Sequence, residues 1–145
     1  MLQKLKYLKY YIGILCNNWK QNKDSYAQHG EDKLIENLLP KRVSSFLDIG
    51  ANDGVLFSNT YKFAKGGASG ICIEPSRSSY LKLKLNHIFN FQIKCLQLAI
   101  SHKEEIMFLK EDGYENVLSF ISQNRTNDTY PVKTTSLADL LKRFP

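Results

Sequence analysis

The segment Phe46-Leu47-Asp48-Ile49-Gly50-Ala51-Asn52-Asp53-Gly54 decides the fold. Phe46, Leu47 and Ile49 are apolar strand formers preceded by the polar pair Ser44-Ser45. Gly50 and Gly54 bracket a turn whose backbone needs unusual dihedrals or a close approach to a ligand. A helix is predicted over Leu56 to Lys65, ended by Gly66-Gly67. Twenty residues beyond Gly54, a second apolar run, Ile71-Cys72-Ile73, ends in Glu74-Pro75. Strand, glycine turn, helix and a second strand tipped by an acid is the layout of a nucleoside-binding βαβ unit. In such a unit the acid, here Glu74, accepts the ribose hydroxyls.

The loop departs from the dinucleotide pattern in a way that selects the ligand. The Gly-x-Gly-x-x-Gly fingerprint seats a pyrophosphate on a bare helix N-terminus. Here the spacing is Gly50-x-x-x-Gly54, Asn52 takes the middle position, and Asp53 sits where phosphates would lie. A carboxylate beside a pyrophosphate is repulsive, the more so where water is scarce. Asp48 and Asp53 suit instead a ligand with no phosphate and a cationic end. S-adenosylmethionine has that chemistry: a ribose diol for Glu74, an ammonium and a sulfonium. The residues therefore favour a methyl donor over NAD.

Four pieces together resemble the FkbM-type S-adenosylmethionine-dependent methyltransferases. They are Ser25-Tyr26-Ala27-Gln28-His29-Gly30-Glu31-Asp32, the Asp48 to Gly54 loop, Ile73-Glu74-Pro75, and Leu98-Ala99-Ile100-Ser101. The resemblance covers roughly residues 25 to 145. It implies an α/β fold, the Rossmann-like class I methyltransferase sheet, and O-methylation of a hydroxyl on a sugar or natural product. It further implies S-adenosylmethionine contacts from Asp48, Gly50, Ala51, Asn52, Asp53, Gly54, Glu74, Pro75 and Ala99, and brings the segment from Gln28 to Asp32 close to the cofactor. In the family a later strand carries an Ile-Asp-x-Glu-Gly-type motif; this sequence reaches Pro145 without it. The expectation is a sheet truncated after three parallel strands plus a hairpin, with weak donor binding and little turnover. An NAD-binding enzyme fragment and a non-enzymatic, membrane-peripheral remnant are the alternatives. No catalytic base is assigned.

At 145 residues, 43% hydrophobic and 23% charged, the chain has the composition of an ordinary globular protein with a single core. Cys16, Cys72 and Cys95 show no Cys-x-x-Cys spacing, which argues for reduced thiols and against a zinc site. The net charge of +6 is concentrated at one end, since Lys4, Lys6, Lys9, Lys20 and Lys23 precede the first acid, Asp24. A basic arm points to anionic lipid or an acidic partner and away from nucleic acid, whose readout needs basic residues through the domain. No run approaches the ~18 apolar residues of a membrane span, and no secretion-signal pattern stands at the start. The expected location is cytoplasmic, with peripheral membrane contact through the arm.

The chain divides into residues 1–23, a basic amphipathic helix, and residues 24–145, a partial methyltransferase domain. In the first, Leu2, Leu5, Leu8, Ile12, Leu15 and Trp19 form an apolar stripe. That stripe fits either an interfacial helix on a membrane leaflet or a lead-in helix packed on the domain. A second helix opens at Glu31-Asp32 and buries Leu34, Ile35, Leu38 and Leu39 before Pro40 stops it. Leu81-Lys82-Leu83-Lys84-Leu85 alternates like a strand, yet a return to a parallel neighbour requires a helix there. Phe91 to Ile100 holds the third strand; the family resemblance implies that its end, Leu98-Ala99, lies beside the adenine, where Gln97 is a candidate hydrogen-bond partner or simply a polar residue on a half-exposed strand. Ile106 to Leu109 is a further strand, and Val117 to Phe120 pairs back on it. Ser122 to Thr129 is polar and loop-like, and Ser136-x-x-Asp139 caps a last helix whose face is Leu137, Leu140, Leu141 and Phe144. His29 is a candidate base, and Ser58-Asn59-Thr60 a candidate contact for the amino-acid end of the donor. The acceptor is a small molecule or glycan, and the open sheet edge invites self-association.

Overall fold

The computed structural model describes residues 12–13, 23–112 and 119–144. Three parallel strands, β1 (Ser45–Ile49), β2 (Ser69–Ile73) and β3 (Ile93–Leu96), form one sheet with β2 at its centre. A second, mixed sheet runs β4 (Ala99–Ser101), β7 (Tyr130–Ser136), β5 (Ile106–Lys110), β6 (Phe120–Ser122). Helices α1 (Glu31–Leu38), α2 (Tyr61–Lys65), α3 (Arg77–Asn86) and α4 (Leu137–Arg143) complete the described elements. The chain is a mixed α/β protein with a parallel sheet, and β1 pairs with β2 alone among the described residues.

Parallel neighbours cannot be joined by a tight turn, so each crossover carries a helix: α2 between β1 and β2, α3 between β2 and β3. The central strand is the driest, with Cys72 and Ile73 essentially inaccessible. Gly70 faces Phe46 across the β1–β2 ladder, and any side chain there would collide with the aromatic ring. Cys72 stands opposite Cys95 on β3, and burial pushes both thiols up, Cys95 to about 11, so neither is a thiolate at neutral pH. Leu83 of α3 closes this core against Ala51, Ala64, Cys72 and Ile93.

The alternating leucines of residues 81–85 are helical, because the N-cap and the crossover outweigh the alternation. Ser76 accepts the Ser79 N–H at 3.2 Å and starts α3. Leu83 is then buried while Leu81 faces solvent. The capping pair at Ser136 and Asp139 also forms, with the Asp139 N–H 3.0 Å from the Ser136 hydroxyl.

Several expected elements differ. The helix over 56–65 begins only at Tyr61, because Phe57 adopts φ 55° and interrupts the helical backbone. Ser58 then accepts the Tyr61 N–H at 3.0 Å. In α1 the leucines do not form the buried face. Leu38 is 72% exposed and Leu34 57%, whereas Asp32 is fully buried, accepting hydrogen bonds from Ser25 Oγ and the Tyr26 and Lys33 N–H groups. Burial opposes the Asp32 charge, but those donors outweigh it and hold the carboxyl below its ordinary range. The single strand expected within 91–100 is two: β3 stops at Leu96, and β4 joins the other sheet beside β7. Strand β7 itself was not anticipated, since Pro131 and the polar run Lys133-Thr134-Thr135-Ser136 obscure its alternation. In α4 only Leu140 is buried; Leu137 and Leu141 are exposed. The amphipathic helix over 1–23 falls almost wholly outside the described residues, as do 113–118 of the hairpin; the pairing back on β5 is seen for Phe120–Ser122. Among the described residues no helix is long and apolar enough to cross a membrane.

Glycine 54 carries the tightest packing constraint in the loop. Its φ is +78°, and an added Cβ would come within 2.6 Å of Leu83 Cδ1 and 2.9 Å of His87 Nε2. His87 is buried there, its pKa lowered to about 4 by desolvation, so the ring is neutral at pH 7. Gly50 has a similar φ of +79° but open space around its Cβ position. Urea denaturation should therefore show Gly54→Ala losing about 2–4 kcal/mol, from backbone strain plus overpacking, and Gly50→Ala only about 1 kcal/mol. Equal losses would contradict this packing.

Candidate functional site

The loop after β1 returns to the tip of β2 and is fastened there. Both Gly50 and Ala51 donate their N–H groups to the Ile73 carbonyl, each at 2.9 Å. One residue on, Glu74 points its carboxylate back at the loop. Its Oε2 accepts the Asn52 N–H at 2.9 Å, and its Oε1 accepts the Ser76 N–H at 2.8 Å. Asn52 reaches this position with φ +49°, a left-handed conformation that asparagine tolerates better than most residues. A carboxylate offers about four acceptor positions, so two such bonds leave it able to accept two more. Burial pushes the Glu74 carboxyl above its ordinary range; its two backbone bonds work the other way, and nearby Glu111 and Asp48 add to the rise.

Asp48, on β1, accepts the Thr60 hydroxyl at 2.5 Å, and its carboxyl is likewise raised by desolvation, with the Thr60 bond offsetting part of the effect. Thr60 in turn sits in the Ser58 turn that starts α2. The two acids thus stand at the C-terminal tips of neighbouring parallel strands, where open α/β sheets place their ligands.

Between them lies a cleft of ≈ 540 Å³, lined by Asp48, Gly50, Ala51, Asn52, Glu74, Pro75 and Ala99 among others. Phe57, Ser58 and Asn59 form one flank, and Ile100, Leu109, Phe120 and Ile121 bring an apolar wall from the second sheet. Its size is that of a small-molecule site. Among the described residues two carboxylates line it, and no lysine, arginine or histidine does.

Asp53 and Gly54 do a different job. Asp53 Oδ1 accepts the Val55 and Leu56 N–H groups at 2.8 and 2.7 Å, and its backbone carbonyl accepts Asn86 Nδ2 at 2.8 Å. Through Oδ1 the Asp53 side chain caps its own turn, and neither Asp53 nor Gly54 is among the residues that line the cleft. The upstream piece meets the segment after β1 through the Ala27–Phe57 bridge and through Tyr26, which is buried with Val55 and Tyr61; none of Gln28 to Asp32 lines the cleft. His29 is exposed and Gln97 lies in another depression beside Arg77 and Lys133. The Leu109, Phe120 and Ile121 wall was missed by sequence reasoning, because nothing local in a hairpin tells which sheet tip it will lean over.

The second sheet is held against this tip by polar contacts. Glu111, just past β5, accepts Ser76 Oγ at 2.6 Å and the Tyr130 hydroxyl, and the same Tyr130 oxygen accepts the Arg77 N–H at 3.1 Å. The Arg77 guanidinium lies 4.7 Å from the Tyr130 ring centroid. Among the described residues no group of three or more His, Cys, Asp or Glu side chains could hold a metal ion.

Fold and cleft define an α/β protein with an acid-lined cleft at the tips of a parallel sheet. A family model described as the methyltransferase FkbM domain matches residues 48–145, and the chain belongs to that family. Comparison with curated proteins returns no match. Among solved structures the chain is similar to YjhP from E. coli, at 13% identity and a TM-score of 0.38, over 59% of this chain. The chain spans 37% of the YjhP chain.

Because Asp53 organises the loop from outside the cleft, Asp53→Ala should destabilise the fold by about 1 kcal/mol, the usual cost of losing such a cap. Urea denaturation measures the loss, and an unchanged midpoint would contradict the assignment.

Proposed function

We propose that this cleft binds S-adenosylmethionine, and that the chain serves methyl transfer to a hydroxyl of a sugar or natural product. In this reading β1, β2 and β3 are the first three strands of a Rossmann-like class I methyltransferase sheet. The observation that carries it is the charge of the cleft: among the described residues, two carboxylates at the strand tips with no cation in the lining. A dinucleotide would bring its pyrophosphate into that field unescorted, whereas a donor with an ammonium and a sulfonium is drawn to it.

Each residue has a part that its geometry supports. Glu74 holds two acceptor positions for a ribose diol, while its bonds to Asn52 and Ser76 keep it from turning away. Gly50 presents bare backbone at the cleft, with nothing within 4 Å of where its Cβ would stand. Asp48, oriented by Thr60, is the carboxylate for the cationic end, with Ser58 and Asn59 within the same lining. Ala99, Ile100, Leu109 and Phe120 supply an apolar surface suited to a base. When bound, the donor supplies an electrophilic methyl group. Transfer requires an in-line approach of the acceptor oxygen, and positioning provides much of the rate. With β1 paired on one side only among the described residues, the cleft is open on that flank, and donor affinity should be weak.

Calorimetric titration of the chain with S-adenosylmethionine tests the reading. Heat of binding is expected, with Glu74→Ala weaker by about tenfold or more, the range for losing hydrogen bonds to a charged acceptor. Protonating Glu74 removes that acceptor, so affinity should fall on acidification with a midpoint above the ordinary glutamate value of 4.5. No heat from folded protein, or equal affinity in Glu74→Ala, would refute the site. Tighter binding of NADH, followed by its fluorescence, would put a dinucleotide in its place.

A further inference from the structure

At the opposite end of the parallel sheet, where β1 begins, lies a second cleft of ≈ 590 Å³. Its charge is the reverse of the first. Lys23, Lys41, Arg42, Lys62 and Lys65 line it against one carboxylate, Glu36. Glu36 is already paired with Lys62, and that hydrogen bond raises the pKa of the ammonium. Among the described residues Lys23, Lys41 and Arg42 form no salt bridge.

The cleft is organised around a buried side chain. Tyr26, 7% exposed, accepts the Lys65 ammonium on its phenol oxygen at 2.9 Å and the Lys23 backbone N–H at 3.4 Å. The Lys65 ammonium also lies 5.4 Å from the Tyr26 ring centroid, so the aromatic side chain helps to position this cation at the cleft. Arg42 is seated against the end of α2, with Nη2 3.1 Å from where a Cβ on Gly66 would stand. Like charges around one concavity with apolar walls focus a positive potential inside it, and a bound anion relieves their repulsion.

The rim narrows the ligand. Leu39 and Pro40 line the cleft and are exposed, and Leu38 beside them is 72% exposed. Cations flanked by apolar side chains match a phosphate group attached to an apolar body.

We propose that this cleft binds the phosphate of an anionic ligand, with the headgroup of an acidic phospholipid as the source that the apolar rim favours and a soluble phosphate ester as the other source of the same chemistry. The site lies at the far end of the strands from the acid-lined cleft and does not rest on the cofactor reading.

The test uses the full chain in two arms. In one, it is sedimented with vesicles of phosphatidylglycerol and phosphatidylcholine, and with phosphatidylcholine alone. In the other, it is titrated calorimetrically with glycerol 3-phosphate. Binding is expected to the acidic vesicles and not to the neutral ones, and to weaken with added salt. Lys41→Glu with Arg42→Glu should weaken it at least about tenfold, and the matching Gln pair by less. Lys84→Glu with Lys133→Glu, which makes the same change in net charge elsewhere, should leave it unchanged. Both cleft residues are exposed, and circular dichroism melts verify that each variant folds. Binding of glycerol 3-phosphate without vesicle sedimentation, lost in the Lys41 and Arg42 variants, supports the site and makes its source soluble. If neither probe binds, or if the two charge-reversal pairs weaken binding equally, the proposal is overturned.

Discussion

One buried carboxylate joins the parts of this molecule that matter for its chemistry. Glu74 lies at the end of the central strand, and its two oxygens accept backbone N–H groups from opposite sides, Asn52 in the glycine loop and Ser76 at the head of α3. Removing either donor would leave an acid in a site that is 8% exposed with half its support. The left-handed conformation of Asn52 and the positive φ of Gly50 are the backbone settings that let the loop come back to this acid. Buried charges persist only where they are hydrogen-bonded, so the carboxylate fixes the loop as much as the loop fixes the carboxylate.

From that junction the second sheet takes its place. Ser76, one of the two Glu74 donors, also reaches Glu111, and Glu111 holds Tyr130 of β7. The hairpin is thereby set over the strand tips with Leu109, Phe120 and Ile121 facing the cleft. Among the described residues the two ends of the parallel sheet have opposite characters: carboxylates without cations where the strands end, cations with one paired carboxylate where β1 begins. Among the described residues, the basic side chains of this chain of net charge +6 lie outside the acid-lined cleft.

Much of this was legible along the chain, and the failures have physical causes. The βαβ core could be read because its signals are local: apolar runs at Phe46–Ile49 and Ile71–Ile73, glycines at the turn, an acid at the tip. The helix over residues 77–86 was reachable because parallel neighbours demand a crossover, whatever the leucine alternation suggests. Tertiary context decided the rest. That Asp53 caps its own loop is not visible in spacing, since its donors are the backbone N–H groups of Val55 and Leu56. In α1 the amphipathic pattern pointed to leucines, yet the buried residue is Asp32, whose donors come from Ser25 and Tyr26 outside the helix. Strand β7 carries Pro131 and threonines at buried positions, so its role in the second sheet appears only once β4 and β5 flank it.

The central claim is that the Glu74 carboxylate, pinned between two turns, still has acceptor positions for a sugar diol. A crystal structure of the chain soaked with S-adenosylhomocysteine tests it most directly. The account predicts both ribose hydroxyls within hydrogen-bonding distance of the Glu74 oxygens, the Asn52 and Ser76 bonds intact, and the adenine against Ala99 and Leu109. Density for the nucleoside away from the tip of β2, or a Glu74 side chain with no contact to the ribose, would contradict it.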